Sequence, residues 1–402
     1  RVVVDSYNNA VKDIPPKPKR IVGKITFNPE EGATAGFLDC AGGLDYSTCT
    51  KFRYTASSDS VPDQMEIQNE LSVVKVMRER IYSVAVHPDP TKLLICAGGK
   101  FGQLAFLDAT TSSHPVGLLG RNLPEPEEYK PGTFLFQPHT GSIPHLRYNP
   151  VNSQQLFSAS YDNLVRCMDL TKGSFDELFN FGESSGDVIT GFDLSPTANV
   201  FYFSDTAGIF KFADRRSGKD VVTEYQLHEK KTGSVSVCAE ERYLATASND
   251  GSVCIWDLRK LSSAEPEAIH TLNFRRSVTS AYFHPSNSSM LISTCYDDYV
   301  RIHYNMTQTT AQHRHVELSH NNQTGRWITN FKACWDPKSQ LAVVGNMNRG
   351  IDLISGSDGC ISRNITSDWL TAQPAVNAFH PYLDVVASGN ASGKLAIWTV
   401  AR

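Results

Sequence analysis

From residue 71 onward the chain alternates apolar runs of four to seven residues with short polar turns. That period suits strands and is too short for helices. The clearest unit is residues 243–259, YLATASNDGSVCIWDLR. Its LATAS run is small or β-compatible, as a strand near a crowded axis requires. Asn249-Asp250-Gly251 supplies a turn, because Gly accepts φ > 0 and Asn and Asp bond their own backbone. Strand chemistry then resumes and ends on Trp256-Asp257.

The order strand, turn, strand, turn, strand occurs seven times, with first strands at 81–86, 143–148, 188–194, 234–238, 278–283, 330–335 and 375–379. Six copies carry a proline in the turn after that strand: Pro88, Pro150, Pro196, Pro285, Pro337 and Pro381. Most copies recur at roughly the forty-residue spacing of a WD repeat. The exception is a Pro- and Glu-rich insertion at 117–132, which reads as a surface loop. A blade cannot bury both faces alone. The pattern therefore predicts an all-β fold, a seven-bladed WD-repeat β-propeller over residues 71–402. The last copy lacks an outer strand, and the surplus N-terminal run 71–77 (LSVVKVM) is expected to complete that blade and close the ring.

Residues 1–70 lack the repeat and read as an N-terminal extension packed on or near the propeller. Within them, 21–27 suggests a strand and the Gly-rich stretch 32–43 a loop. The basic PPKPKR at 15–20 has three open readings: a nuclear-localisation element, a DNA-touching arm or a solvated linker. The chain opens without Met, so a preceding region is expected. Its polar, basic start does not read as a secretory signal. No apolar run reaches the ~18 residues of a membrane span, so no membrane partner is expected.

Charge changes the picture only locally. The 38 basic and 42 acidic residues leave a net charge of −4, so a nucleic-acid partner can be argued from clustering alone. Nine Cys without a C-x-x-C pair point to free thiols in a reducing compartment, with no structural zinc and no cofactor. There is no G-x-S-x-G, H-E-x-x-H or P-loop. His87, His284 and His380 precede turn prolines, and Asp162, Asp205, Asp250 and Asp297 fall in tight turns. Fold repetition thus accounts for them, and no catalytic residue is expected.

In a propeller, the loops entering each first strand share a rim with the turns between second and third strands. Those segments collect Arg78, Arg80, Lys100, His139, Lys230, Lys231, Arg275, Arg276, Arg326 and Arg349. Such a ring of cations is a footprint for phosphates. The loop HNNQTGRW at 320–327 adds Gln323 as a donor and Trp327 as a flat face for stacking or wedging. Double-stranded DNA is the expected partner. The alternative is an interaction scaffold whose mouth reads acidic peptides or histone tails. On the opposite rim, Arg259 follows Trp256-Asp257, and Arg216 ends the similar Ala213-Asp214-Arg215-Arg216. Each suits a partner's carboxylates or carbonyls, or a pair within its own turn.

The stretches RIYSVAVHPDPTKLLICAGGKFGQLAFLD, LFSASYDNLVRCMDL and HNNQTGRWITNFKACWDP resemble the WD repeat-containing protein 76 family. That group is similar to the damaged-DNA-binding propeller subunit of a cullin-4 ubiquitin ligase. The resemblance covers roughly 72–402 and implies a nuclear, chromatin-associated DNA binder recruited by the ligase adaptor; a monomer is expected. It places Arg80 and Lys100 at phosphate-binding positions and Lys231 in the matching loop. Arg326 and Trp327 fall where the damage-recognising relative inserts an aromatic hairpin. Its wedge is Phe-Gln-His, whereas Gly325-Arg326-Trp327 stands here, which leaves damaged, modified and plain DNA open. Arg259 matches the W-D-x-R element that docks on the adaptor, and Arg216 its second copy, with Ala213 in place of Trp.

Overall fold

Each repeat folds as an antiparallel sheet, and seven such sheets form the blades of a propeller. The computed structural model describes residues 20–27, 32–46, 65–110, 117–119, 129–182, 186–217, 222–261, 266–308 and 313–400. In the fourth blade Thr232–Val237 is innermost, followed outward by Tyr243–Ser248, Ser252–Asp257 and His270–Asn273. The small residues of the second strand are buried and let the neighbouring blade come close. Gly345 does the same in the sixth blade, where a Cβ would run into the carbonyl of Pro374 in the seventh.

Buried polar chains fix the turns. His228 Nδ1 meets Asp250 at 2.9 Å, its Nε2 meets Thr246 Oγ1 at 2.7 Å, and Trp256 Nε1 donates to the same oxygen at 2.8 Å. The second blade keeps the His139, Asp162 and Ser158 members but has Met168 where the fourth has Trp256. In the seventh, Trp398 Nε1 donates to Ser388 Oγ at 2.8 Å. A satisfied network of this kind holds the entering loop and two strands in one register.

The ring closes on an N-terminal edge made of two pieces. Met65–Glu66 and Val73–Lys75 both pair with Lys394–Val400, and the single helical turn Glu70–Ser72 separates them. Val74, Val76 and Met77 are buried under this edge. The innermost strands enclose a central cavity of about 740 Å3.

Three local expectations are corrected. Gly32–Gly42 is a helix, not a loop. Phe37, Cys40, Ala41 and Leu44 fall at helical spacing and are all buried. The Phe37 ring lies 5.2, 5.5 and 5.0 Å from those of Phe106, Phe134 and Phe136. Lys92 Nζ donates to Cys40 O at 2.6 Å near the helix C-terminus and pairs with Asp108 at 3.2 Å. Burial, with the Asp108 carboxylate, pushes the Cys40 thiol up to about 12. Second, residues 21–27 form no strand: Ile25 makes one bridge to Phe175, and the fully buried Arg166 donates to Gly23 O and Ile21 O at 2.7 and 2.6 Å. Third, the insertion at 117–132 begins with a strand, Gly117–Leu119, which pairs in parallel with Thr133–Phe136. Pro15 to Lys19 of the basic patch lie outside the described residues.

Candidate nucleic-acid interface

One backbone hydrogen bond repeats in the first five blades and joins the entering loop to the turn after the second strand. Lys100 N donates to Arg80 O, Tyr161 N to Ser142 O, Thr206 N to Val188 O, Asn249 N to Lys231 O and Tyr296 N to Ser277 O. These bonds place both sets of segments on one rim, which carries the candidate cations. Lys100, Lys230, Arg275, Arg276, Arg326 and Arg349 are exposed, and Arg80 and Lys231 half-buried. None of the eight has a carboxylate partner among the described residues. Several cations elsewhere are paired: Lys24 with Asp176, Lys172 with Asp169, Lys211 with Glu224 and Lys338 with Asp384. These eight side chains are thus free of ion pairs among the described residues, with Glu79 and Glu229 standing in the same loops.

The expected ring is an arc. The cations come from the first, fourth, fifth and sixth blades. His139 does not join them: it is fully buried between Asp162, at 3.1 Å, and Ser158, at 2.8 Å. Burial raises the proton affinity of the Asp162 carboxyl, but His139 and the N–H groups of Thr140 and Leu164 outweigh it and hold the acid below the usual carboxylate range.

Aromatic rings stand among these cations. Lys100 Nζ lies 4.8 Å from the Phe101 ring centre, and the Arg326 guanidinium 4.7 Å from that of Trp327. Phe101 is 50% exposed, Trp327 70% and Trp369 47%. Trp369 lies in the loop entering the seventh blade, on the same rim. An exposed ring beside a cation can stack on a base while the charge meets its phosphate. Phe101 and Trp369 escaped the sequence reading; the Lys-Phe pair inside a tight turn was the available signal for the first.

The loop at 320–330 is built to hold Arg326 and Trp327 out. Asn322 anchors it to the fifth blade, donating through Nδ2 to Cys295 O at 2.9 Å and through its backbone N–H to Asp298 at 2.9 Å. Gln323 spends its amide on Tyr296 O at 2.7 Å and Asp298 at 3.1 Å, so it braces the loop. At the other end Thr329 Oγ1 donates to Ile81 O at 2.8 Å, and Arg80 Nη2 donates to Arg326 O at 3.0 Å, reaching the first blade. Gly325 takes φ +59 with open space around it, which turns the next two side chains outward.

Lys231 behaves differently from its neighbours. It sits 5.6 Å from the Tyr161 ring centre, and burial lowers its proton affinity. Its charge is also felt inside the channel, where it disfavours the protonated forms of Lys332 and His145.

On the opposite rim Arg259 and Arg216 adopt matching forks. Arg259 Nε and Nη2 meet the two Asp257 oxygens at 2.9 and 2.6 Å; Arg216 Nε and Nη2 meet Asp214 at 2.9 and 2.6 Å. Each follows its Asp in a one-turn helix, Leu258–Lys260 or Arg215–Ser217. The inner edge of each guanidinium is thus used within its own turn, and the outer edge faces solvent. Trp256 and Asp257 are buried, the first through Thr246 and the second as the cap of that turn.

A family model described as the nucleolar protein 10-like N-terminal domain matches residues 138–351. The chain is 32% identical over 351 residues to WD repeat-containing protein 76 of Xenopus laevis, covering 86% of this chain and 57% of that protein. It is 35% identical over 350 residues to DNA damage-binding protein CMR1 of Phaeosphaeria nodorum, covering 82% of this chain and 66% of that one. The CMR1 of Coccidioides immitis is 33% identical over 352 residues, with 81% and 66% covered. The chain thus spans less than two thirds of the length of the first of these relatives and about two thirds of the others.

Proposed function

The chain belongs to the WD repeat-containing protein 76 family, with a propeller of the nucleolar protein 10-like kind, and from that premise we propose a nuclear, non-enzymatic DNA-binding propeller. The reading is carried by the arc of unpaired cations with Phe101, Trp327 and Trp369 exposed among them. The cations grip phosphates and fix register, while the aromatic faces report whether a base is stacked. That division suits a protein whose CMR1 relatives are named for damaged DNA.

Fluorescence anisotropy on plain, ultraviolet-damaged and cytosine-modified duplexes separates the two roles. Lys100→Glu and Arg326→Glu should weaken binding to all three by similar factors. Trp327→Ala should narrow the preference for the favoured duplex by the ~1–3 kcal/mol of one stacked base. Unchanged affinity in both charge reversals would sink the basic-mouth reading.

The far rim completes the proposal as a docking face for a cullin-4 ligase adaptor. Arg259 and Arg216 repeat one geometry on adjacent blades and offer their free guanidinium edges to partner carbonyls or carboxylates. Recovery of the adaptor in a pull-down should fall with Arg259→Ala and further with Arg216→Ala added. Full recovery with the double variant rules this contact out.

A further inference from the structure

Three imidazoles converge on the outer edge of the fifth blade, away from the loops that form the mouth. His303 lies on Tyr299–Tyr304, and His315 lies directly opposite it on the edge strand Arg314–Ser319. His313 stands two residues before His315, so the His-x-His spacing puts both rings on the face that His303 shares. Arg314, between them, turns the other way and covers the Tyr304 ring at 5.4 Å.

The three rings lie side by side, with centres 5.3, 5.4 and 5.8 Å apart, and bring their nitrogens close together. His303 Nδ1 is 3.1 Å from His313 Nε2, and one ring nitrogen from each of the three lies within 4.8 Å of the others. A tetrahedral ion with Zn–N bonds of about 2.0–2.1 Å wants its ligand nitrogens roughly 3.4 Å apart. One pair therefore already meets that span, and rotation of the exposed His315 ring about its side-chain bonds brings in the third. His303 is buried, His313 half-buried and His315 exposed, which gives an ion a way in from solvent.

The outer partners also fit. Ser293 Oγ holds His303 Nε2 at 2.8 Å, which leaves Nδ1, the atom aimed at His313, as the ligand. His315 Nε2 lies 3.6 Å from Glu317 Oε1, and that carboxylate is fixed by Arg301 Nε at 2.7 Å. A ring held through one nitrogen with the other turned inward, as His303 is, is how protein sites select a histidine tautomer for a metal.

We propose that His303, His313 and His315 form a three-histidine site for a divalent transition-metal ion, zinc by its ligand set. Three neutral nitrogens and no thiolate suit zinc, with the fourth position left to water. The ion ties the outer edge strand of the fifth blade to its neighbour through their side chains and so couples metal binding to the stability of that pairing.

The test uses the tag-free full chain, stripped with a chelator and titrated with zinc chloride alone, then with cobalt chloride. Saturable binding of one ion per chain, a rise in melting temperature and a visible cobalt absorption band typical of tetrahedral nitrogen ligation are expected. His315→Gln, at an exposed position that does not threaten folding, should abolish the cobalt band. Ser293→Ala keeps all three ligands and should weaken zinc by about tenfold through the loosened His303 ring. Absence of stoichiometric binding overturns the site, as does binding that His315→Gln leaves unchanged.

Discussion

Lys332 carries an ammonium into the channel with no carboxylate to meet it among the described residues; its one hydrogen bond, to Gly233 O, is 3.5 Å long. Burial, then the charges of Lys231 and Arg147, lower its pKa from 10.5 to about 8. The unfolded chain therefore binds the proton more tightly than the native one between those values, and stability rises with pH across that window. Below about 8 both states hold the proton and the native state bears the full cost of the partly desolvated charge. Lys332→Met should be more stable than the parent at neutral pH, with the gap closing as pH climbs toward 10.5. Urea midpoints of the two proteins measured side by side across this range check it; a constant gap refutes the assignment. Other residues of the mouth were partly legible. Trp327 and Arg326 stand out because Gly and polar neighbours leave them nothing to pack against. His139 misled, since a His in a polar rim loop looks like surface charge until its Asp162 and Ser158 partners are seen across two strands.

Strands were far easier to read than the elements attached to them. Ile81–Val86, Ile209–Asp214 and Leu341–Gly345 lie where period and turn signals put them, because a Pro, Gly or Asp turn closes each of them on at least one side. The helix Gly32–Gly42 was hidden by its composition: Gly at 32, 36 and 42 suggests a loop, yet small residues let the helix lie close to Phe134 and its neighbours. Nothing local announces that burial; it comes from Phe106, Phe134 and Phe136, far along the chain. The strand Gly117–Leu119 was invisible for a related reason, as a three-residue parallel pairing leaves no alternation to detect. The His-x-His of the fifth blade was legible as a spacing, but only the pairing of His303 with His315 gives it meaning. The closing edge was expected as one strand, whereas Asn69 and the turn Glu70–Ser72 split it, so that Met65–Glu66 extends the pairing to Val400.

A molecule with a net charge of −4 must bind DNA against its own long-range field, so the arc has to act at contact distance. That makes salt the most discriminating variable. Each phosphate neutralised contributes about −0.9 to the slope of log affinity against log salt. If Lys100, Lys230, Arg275, Arg276 and Arg326 each meet one phosphate, the slope is about −4.5, and a fourfold rise in salt weakens binding by roughly 500-fold. Lys100→Glu should flatten the slope to about −3.6, because one contact fewer releases one condensed counterion fewer. An acidic peptide carries no condensed counterion layer of that density, so binding it would give a shallow slope with the same variants. A basic histone tail would be repelled by the same unpaired cations. Anisotropy at several salt concentrations, with an acidic peptide as competitor, therefore reads the ligand class directly. A steep slope that one reversal moves by about one unit means a phosphate backbone, whereas a slope shallower than about −2 that Lys100→Glu does not move means the mouth was made for something else.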